Sequence, residues 1–313
     1  MRLAPSLALT AITLSLAGGC VSSGPAFEPE ARSLLGTPLY APALPEDILL
    51  ERSAQLAEAH RIYLIDPANE KAIIWFGRRL AYLGRYNEAI AVFTDGLSHH
   101  PGSYRLLRHR GHRYITLRRF DDAIADLSRA AELIHGVPDA TEPDGQPNAL
   151  NIPLSTTHTN IFYHLGLAHY LRGEWEKSRQ AYAKCLELSA NDDMRVASIY
   201  WLVLNLHRLG LAPIADDLLD DVTPDMEIIE NFAYHSLLLH FKGLRTADEI
   251  AGTGEDAIQD TTVAYGVAAW RMIRGDRDEA RQRFRAIVAG EQWAAFGFIA
   301  AEAELAPERA TRR

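Results

Sequence analysis

The stretch KAIIWFGRRLAYLGRYNEAIAVFTDGLSHHP, residues 71–101, contains two apolar patterns of helical spacing on either side of Gly84. Apolar and small residues recur every three or four positions, which places them on one face of each helix. Glycine ends a helix in the left-handed conformation at low steric cost, so Gly84 suits the turn. Gly77 and Ala89 permit close approach of the two helices, and the bulky Phe93 fills the remaining space. The stretch predicts two packed helices joined by a tight turn.

The same pattern recurs at a period of 34 residues, and no window between residues 49 and 305 alternates convincingly as a strand. The first copy holds Ile73, Phe76, Gly77, Leu80, Ala89, Phe93 and Pro101, and the second holds Leu107, Gly111, Tyr114, Ala123, Leu127 and Ala130. A third copy holds Phe162, Leu165, Gly166, His169, Ser178, Tyr182 and Cys185. Weaker copies begin near Val196 and Glu230, and a clearer one holds Gly275, Ala280 and Phe284.

These offsets resemble those of the tetratricopeptide-repeat family, over residues 47–309. The resemblance implies an all-α fold, a right-handed superhelical solenoid of helix-turn-helix repeats with a concave groove. We expect positive φ angles at Gly84 and Gly173, in the turns of two repeats. Members of the family bind protein segments or peptides in the groove, so the resemblance also implies a scaffold and not an enzyme.

In the resembled family the groove is lined by the first helix of each repeat. Carried over residue by residue, this predicts a binding groove formed by Lys71, Trp75, Arg78, Tyr82, Arg105, Arg108, His109, His112, Asn160, Tyr163, His164, Tyr200 and Trp201. The arginines form a positive patch that suits a carboxylate or phosphate group on the partner. Some members hold a peptide carboxylate with Lys, Arg and Asn, and Lys71, Arg108 and Asn160 occupy comparable positions. The alternative is an ordinary solvated surface.

Residues 135–158 interrupt the repeats with a segment that contains Pro138, Pro143 and Pro153 and lacks helical periodicity. Long loops on a repeat scaffold are often functional. A tolerated surface excursion is the alternative, since loop lengthening costs little free energy. Leu150, Ile152 and Leu154 are candidates for docking this loop against the groove.

The first twenty residues resemble a bacterial lipoprotein signal, with a short apolar core followed by Ala17-Gly18-Gly19-Cys20. The resemblance implies that residues 1–19 are removed as a signal peptide and that Cys20 carries acyl chains such as palmitate. Val21 favours sorting to the outer membrane, so we expect a lipid anchor there with the body in the periplasm. An ordinary secretory signal is the alternative. Residues 20–46 are rich in proline and predict a tether.

The net charge of −9 argues against a general nucleic-acid partner. The histidines match no metal-binding motif, and no phosphate loop, dinucleotide fingerprint or nucleophile elbow is present, so we predict no metal, no cofactor and no catalytic residue. The sequence therefore predicts a lipid-anchored adaptor for a protein or peptide. The alternative is a binding protein or enzyme for a sugar or an anionic cell-wall fragment, which would use the groove and the 135–158 loop.

Overall fold

The computed structural model describes residues 28–252, 254 and 256–307. This part of the chain contains two short paired strands, β1 (Ala31–Arg32) and β2 (Pro38–Leu39), and thirteen α-helices. The helices are α1 (Glu46–Ile65), α2 (Glu70–Tyr82), α3 (Tyr86–His99), α4 (Tyr104–Thr116), α5 (Phe120–Leu133), α6 (Thr157–Leu171), α7 (Trp175–Leu188), α8 (Asp192–Arg208), α9 (Ala212–Asp220), α10 (Phe232–Phe241), α11 (Ala257–Ile273), α12 (Arg277–Val288) and α13 (Phe296–Leu305). The predicted all-α repeat fold is confirmed.

Glycines hold the helices of each pair in close contact. Gly77 in α2 lies against the Phe93 ring of α3, and a β-carbon at residue 77 would collide with that ring. Gly111 and Gly166 stand in the same relation to Leu127 and Tyr182, each partner lying 16 positions later. The recurring glycine and bulky residue therefore produce the pairs α2–α3, α4–α5 and α6–α7.

The turns inside the helix pairs use left-handed residues. The predicted positive φ angles are confirmed at Gly84 (76°) and Gly173 (73°), where glycine avoids the clash that a β-carbon suffers. Arg118 takes the equivalent place in the second pair, with a φ of 64°. A non-glycine residue in this conformation is strained, and such strain persists only where contacts of the side chain compensate for it.

That compensation is a buried ion pair with the last helix. Nε and one Nη of Arg118 donate hydrogen bonds to the two oxygens of the Glu302 carboxylate, at 3.0 and 2.9 Å. One Nη of Arg208 in α8 pairs with the Glu304 carboxylate at 2.7 Å. Helix α13 also packs on α11, α12 and α6, and its residues from Gly297 to Glu304 are buried. The C-terminal helix therefore fills the inner side of the solenoid.

The weak repeat that begins near Glu230 has only its first helix. Helix α10 is followed by a turn at Gly243, but the described residues between 245 and 256 form no second helix. Gly266 of α11 instead packs directly on Leu237 of α10. The next helix in the chain thus takes the neighbouring position that a second helix would occupy.

The tether predicted for residues 20–46 requires correction in its described part. Glu30 bonds the backbone and side chain of Asn87, and Leu39 is buried. The Trp293 indole donates a hydrogen bond to the Tyr40 carbonyl oxygen. These contacts hold the β1–β2 hairpin against α3 and against the segment before α13. Cys20, the signal peptide and the first residues of the tether lie outside the described residues.

Candidate functional site

The inserted loop is an ordered structure that covers the middle of the concave side. Its two ends pair through backbone hydrogen bonds from Thr157 N to Ala140 O and from Glu142 N to Ser155 O, both 2.9 Å long. Leu154 is buried as expected, whereas Leu150 and Ile152 are exposed. The loop is held mainly by polar contacts, so the prediction of apolar docking applies only to Leu154.

Glu142 carries the loop into the predicted groove. Its carboxylate lies 3.0 Å from an Nη of Arg108 and 4.0 Å from an Nη of Arg78, and accepts a hydrogen bond from the Asn160 amide at 3.2 Å. His109 Nε2 lies 3.8 Å away. We call these five residues the Glu142 cluster. A carboxylate of the chain itself thus occupies the position in which the sequence predicts a carboxylate of a partner.

The protonation of His109 follows from its neighbours. An Nη of Arg108 lies 2.9 Å from His109 Nδ1 and, being a donor only, makes this nitrogen the acceptor. Burial, together with the positive charge of Arg108 and Arg78, lowers the pKa of His109 well below 6.5. The imidazole is therefore neutral at pH 7, with its proton on Nε2 and directed toward Glu142.

A small cavity lies beside the Glu142 cluster. It has a volume of about 110 Å³ and is lined by Arg78, Ala81, Tyr82, Phe93, Arg108, His109, His112 and Arg113. The Tyr82 hydroxyl accepts a hydrogen bond from Arg78 Nε at 3.1 Å. Helices α2 and α4 supply every side chain of this lining except Phe93, which belongs to α3.

Helix α13 covers three further residues of the predicted groove. The Phe296 ring lies 5.4 Å from the His112 ring, 5.8 Å from His164 and 6.3 Å from Tyr163, measured between ring centres. Burial lowers the pKa of His112 and of His164 well below 6.5. Tyr163 and His164 are buried, whereas His112 is half-buried, in contact with Phe296 and with the small cavity.

The prediction that Tyr200 and Trp201 line the groove is wrong. Both side chains are fully buried, and the Trp201 indole donates a hydrogen bond to the Tyr163 hydroxyl, which in turn lies 2.7 Å from the Tyr234 hydroxyl. Helix α8 packs against α7, α9, α10 and α11, so none of its faces remains free.

An open groove remains at the N-terminal end, along the seam between α1 and α2. It has a volume of about 850 Å³ and is lined by Ala54, Gln55, Glu58, Ala59, Ile62, Ile65, Asp66, Asn69, Lys71, Ala72, Trp75 and Arg79. A pocket of about 320 Å³ adjoins it and shares Lys71 and Trp75. Arg78, Arg105 and the loop residues Thr141 to Pro143 also line this pocket.

The predicted groove residues therefore separate into three environments. Lys71, Trp75, Arg78 and Arg105 face the open surface, and Arg78 and Tyr82 reach the small cavity. Arg108, His109 and Asn160 contact Glu142 beneath the loop, and the remaining residues are covered by helices. Sequence reasoning did not single out Glu142, Arg113, Ile62 or Phe296. The sequence did contain a signal for Ile62, because α1 carries more large apolar residues than its contact with α2 can bury.

Two absences concern the described residues only. No group of three or more His, Cys, Asp or Glu side chains among them is arranged to hold a metal ion. None of the helices in residues 28–252 and 256–307 combines the length and the apolar character that crossing a bilayer requires.

The helix arrangement is similar to that of several solved structures. A tetratricopeptide repeat protein from Parabacteroides merdae shares 14% identity at a TM-score of 0.47, with 81% of this chain and 94% of that chain covered. MamA shares 16% identity at a TM-score of 0.43, with 64% of this chain and 95% of that chain covered. YrrB, described as a TPR protein with an unusual peptide-binding site, shares 13% identity at a TM-score of 0.42, with 79% of this chain and 97% of that chain covered. No family model matches the chain, and no curated protein is similar to it in sequence.

Likeness at these levels carries no argument about function. In this chain the glycines of successive first helices lie against bulky residues of the second helices, and left-handed residues stand in the turns. The described part of the chain is an all-α solenoid of tetratricopeptide-type helix pairs.

Proposed function

We propose that the protein is a lipid-anchored periplasmic adaptor that binds a segment of a partner protein in the open groove between α1 and α2. One observation carries the proposal. The centre of the concave side is filled by the chain's own loop and α13, whereas the α1–α2 seam leaves Ile62 and Ile65 45% and 73% exposed. Apolar surface that remains uncovered and concave suits a partner segment.

The lining indicates what kind of segment fits. Ala59, Ile62, Ala72 and Trp75 offer apolar contact, and the exposed Lys71 stands where the groove meets the adjoining pocket. Arg105 lies at the far side of that pocket, 3.5 Å from Glu70. A segment with apolar side chains followed by an acidic group complements this order of surfaces. Such an acidic group would gain charge-assisted hydrogen bonds from Lys71 and Arg105.

The groove is tested by matched substitutions on α1. Ile62→Asp places a charge in the lining, and Leu64→Asp places the same charge on a side chain that is 62% exposed and outside the lining. Proteins cross-linked to the mature protein in intact cell envelopes would be identified and compared. We expect at least one partner to be retained by Leu64→Asp and lost with Ile62→Asp. Identical capture by both variants would contradict the groove proposal.

The anchor is a separate part of the proposal and rests on the sequence around Cys20 alone. Cys20→Ser should abolish labelling with a radioactive fatty acid and should release the body into the soluble fraction. Washing the membranes with high salt removes proteins that are held only by charge. A Cys20→Ser protein that still fractionates with the outer membrane after this wash would contradict the lipid anchor.

A second candidate function is the recognition of a small ligand, such as a sugar or an anionic cell-wall fragment. The observation in its favour is that the loop covers positive side chains and neutral buried histidines. The covered cavity of about 110 Å³ is, however, smaller than ligand pockets, which hold about 300–1,000 Å³. Titration of the protein with soluble muropeptides separates the two functions. Saturable binding that Ile62→Asp leaves unchanged would favour the second candidate.

A further inference from the structure

The small cavity between α2 and α4 has more positive charge than the described chain neutralises. Three arginines, Arg78, Arg108 and Arg113, line it together with the Tyr82 hydroxyl. Glu142 approaches Arg108 and Arg78, and Asp144 also acts on Arg78. Neither carboxylate lines the cavity.

Arg113 is the residue that the surrounding chain leaves without a carboxylate. Its guanidinium makes no hydrogen bond or ion pair within residues 28–252 and 256–307, and lies 5.7 Å from the centre of the Tyr86 ring. Burial lowers the pKa of Arg113 from 12.5 to about 10, and the neighbouring charges of Arg108 and Arg78 act in the same direction. The side chain is half-buried and still charged at neutral pH, and a partly desolvated cation without an acceptor is costly.

Arg108 supplies a second unused donor. Its two Nη groups contact Glu142 and His109, but its Nε is buried and has no hydrogen-bond partner in the described chain. The Tyr82 hydroxyl accepts a bond from Arg78, which leaves its own proton available to donate. The cavity therefore offers guanidinium and hydroxyl donors and lacks a matching acceptor.

We propose that this cavity binds a small oxyanion of the phosphate or carboxylate class, held by Arg108 Nε, the Arg113 guanidinium and the Tyr82 hydroxyl. Guanidinium groups bind such oxygens through paired hydrogen bonds. The volume of about 110 Å³ exceeds the roughly 10–15 Å³ that one water needs, so it accommodates a small polyatomic anion. The bound charge would complement Arg113 and stabilise the contact between α2 and α4.

The test uses the full mature chain with inorganic phosphate as the probe. Thermal unfolding and calorimetric titration would be measured at constant ionic strength, with sodium chloride exchanged stepwise for sodium phosphate or sodium acetate. We expect a saturable rise in the melting temperature with at least one of the two oxyanions. Arg113→Met should raise the dissociation constant at least tenfold. Arg119→Met, which removes an exposed arginine at the N-cap of α5, should change it less than twofold.

Three results would overturn the proposal: no saturable effect of phosphate or acetate, an equal effect of chloride, or undiminished binding by Arg113→Met. If Arg113→Met does not fold, crystals of the wild-type protein with arsenate give the answer. An anomalous peak within hydrogen-bond distance of Arg108 Nε and Arg113 supports the site, and its absence at saturating arsenate overturns it. None of these measurements requires the partner protein, so they stand or fall independently of the adaptor function.

Discussion

Helices α1 and α6 differ sharply in burial. Every residue of α6 except Phe162 is buried, whereas Ala59 is the buried residue of α1. Helix α6 contacts α4, α5, α7, α8 and α13, while α1 packs on α2. The comparison teaches that in this solenoid the number of neighbours, and not the repeat pattern, decides which helix can offer a surface to a partner.

The loop and α13 create this difference. Glu142 brings the loop onto Arg108 of α4, and Glu302 brings α13 to Arg118 in the turn after α4, so two acidic residues of the chain pair with its own basic side chains. The closed centre thereby gains stability and loses accessibility. The open end keeps the apolar lining that the adaptor proposal requires.

The largest expected effect concerns the ion pair that closes the centre. The side chains of Arg118 and Glu302 are 3% and 1% exposed, so Arg118→Ala leaves a buried unpaired carboxylate and should cost about 3–5 kcal/mol of unfolding free energy. Arg119→Ala breaks an exposed pair with Asp122 and should cost about 0–1 kcal/mol. Chemical denaturation of both variants measures the difference.

Arg118→Gly sharpens this result. Glycine relieves the strain of the positive φ angle, about 1–2 kcal/mol, so Arg118→Gly should be more stable than Arg118→Ala although both lack the ion pair. Equal losses for Arg118→Ala and Arg119→Ala would show that α13 is not held in place by this contact.

A matched isoleucine pair tests the difference between the two helices directly. Ile161 of α6 is fully buried, and Ile161→Ala should cost about 2–5 kcal/mol through the lost apolar contacts and the cavity. Ile65 of α1 is 73% exposed, and Ile65→Ala should change the unfolding free energy by less than about 0.5 kcal/mol. Thermal unfolding measures both variants. Similar losses of stability for the two would contradict the difference in burial between α6 and α1.

A pH dependence is also expected of the closed centre. Burial lowers the pKa of His109, His112 and His164 well below 6.5, so the unfolded chain binds more protons than the folded one at acid pH. The stability is fully present above pH 6.5 and is lost as the pH falls below it, by up to about 1.4 kcal/mol per pH unit for each histidine.

His112→Gln should make the unfolding free energy depend less steeply on pH between pH 6.5 and 5, because one of the three histidines no longer contributes. Chemical denaturation across this pH range measures the change. His99→Gln, at the exposed end of α3, is the matched control. A profile that His112→Gln leaves unchanged would mean that His112 is hydrated in solution, and that Phe296 does not cover it.

Much of the fold was predictable because its determinants are close in sequence. The glycine of each first helix and its bulky partner are separated by one helix pair, as with Gly77 and Phe93, so a pattern of fixed offsets reveals the contact. The candidate site was predictable only in part. The offsets indicate that Arg78 and Arg108 face inward, but they carry no information on what covers them.

By itself, therefore, the sequence determined the helix pairs, their tight turns and the inward direction of the basic side chains, since each follows from local spacing and steric rules. Only the tertiary structure decided that Glu142 occupies the predicted anion site, that Phe296 of α13 packs on His112 and His164, and that the accessible groove lies beside α1. The contact between Arg118 and Glu302 joins positions 184 residues apart. Contacts over such distances depend on how all the intervening helices stack, and no periodic pattern records that.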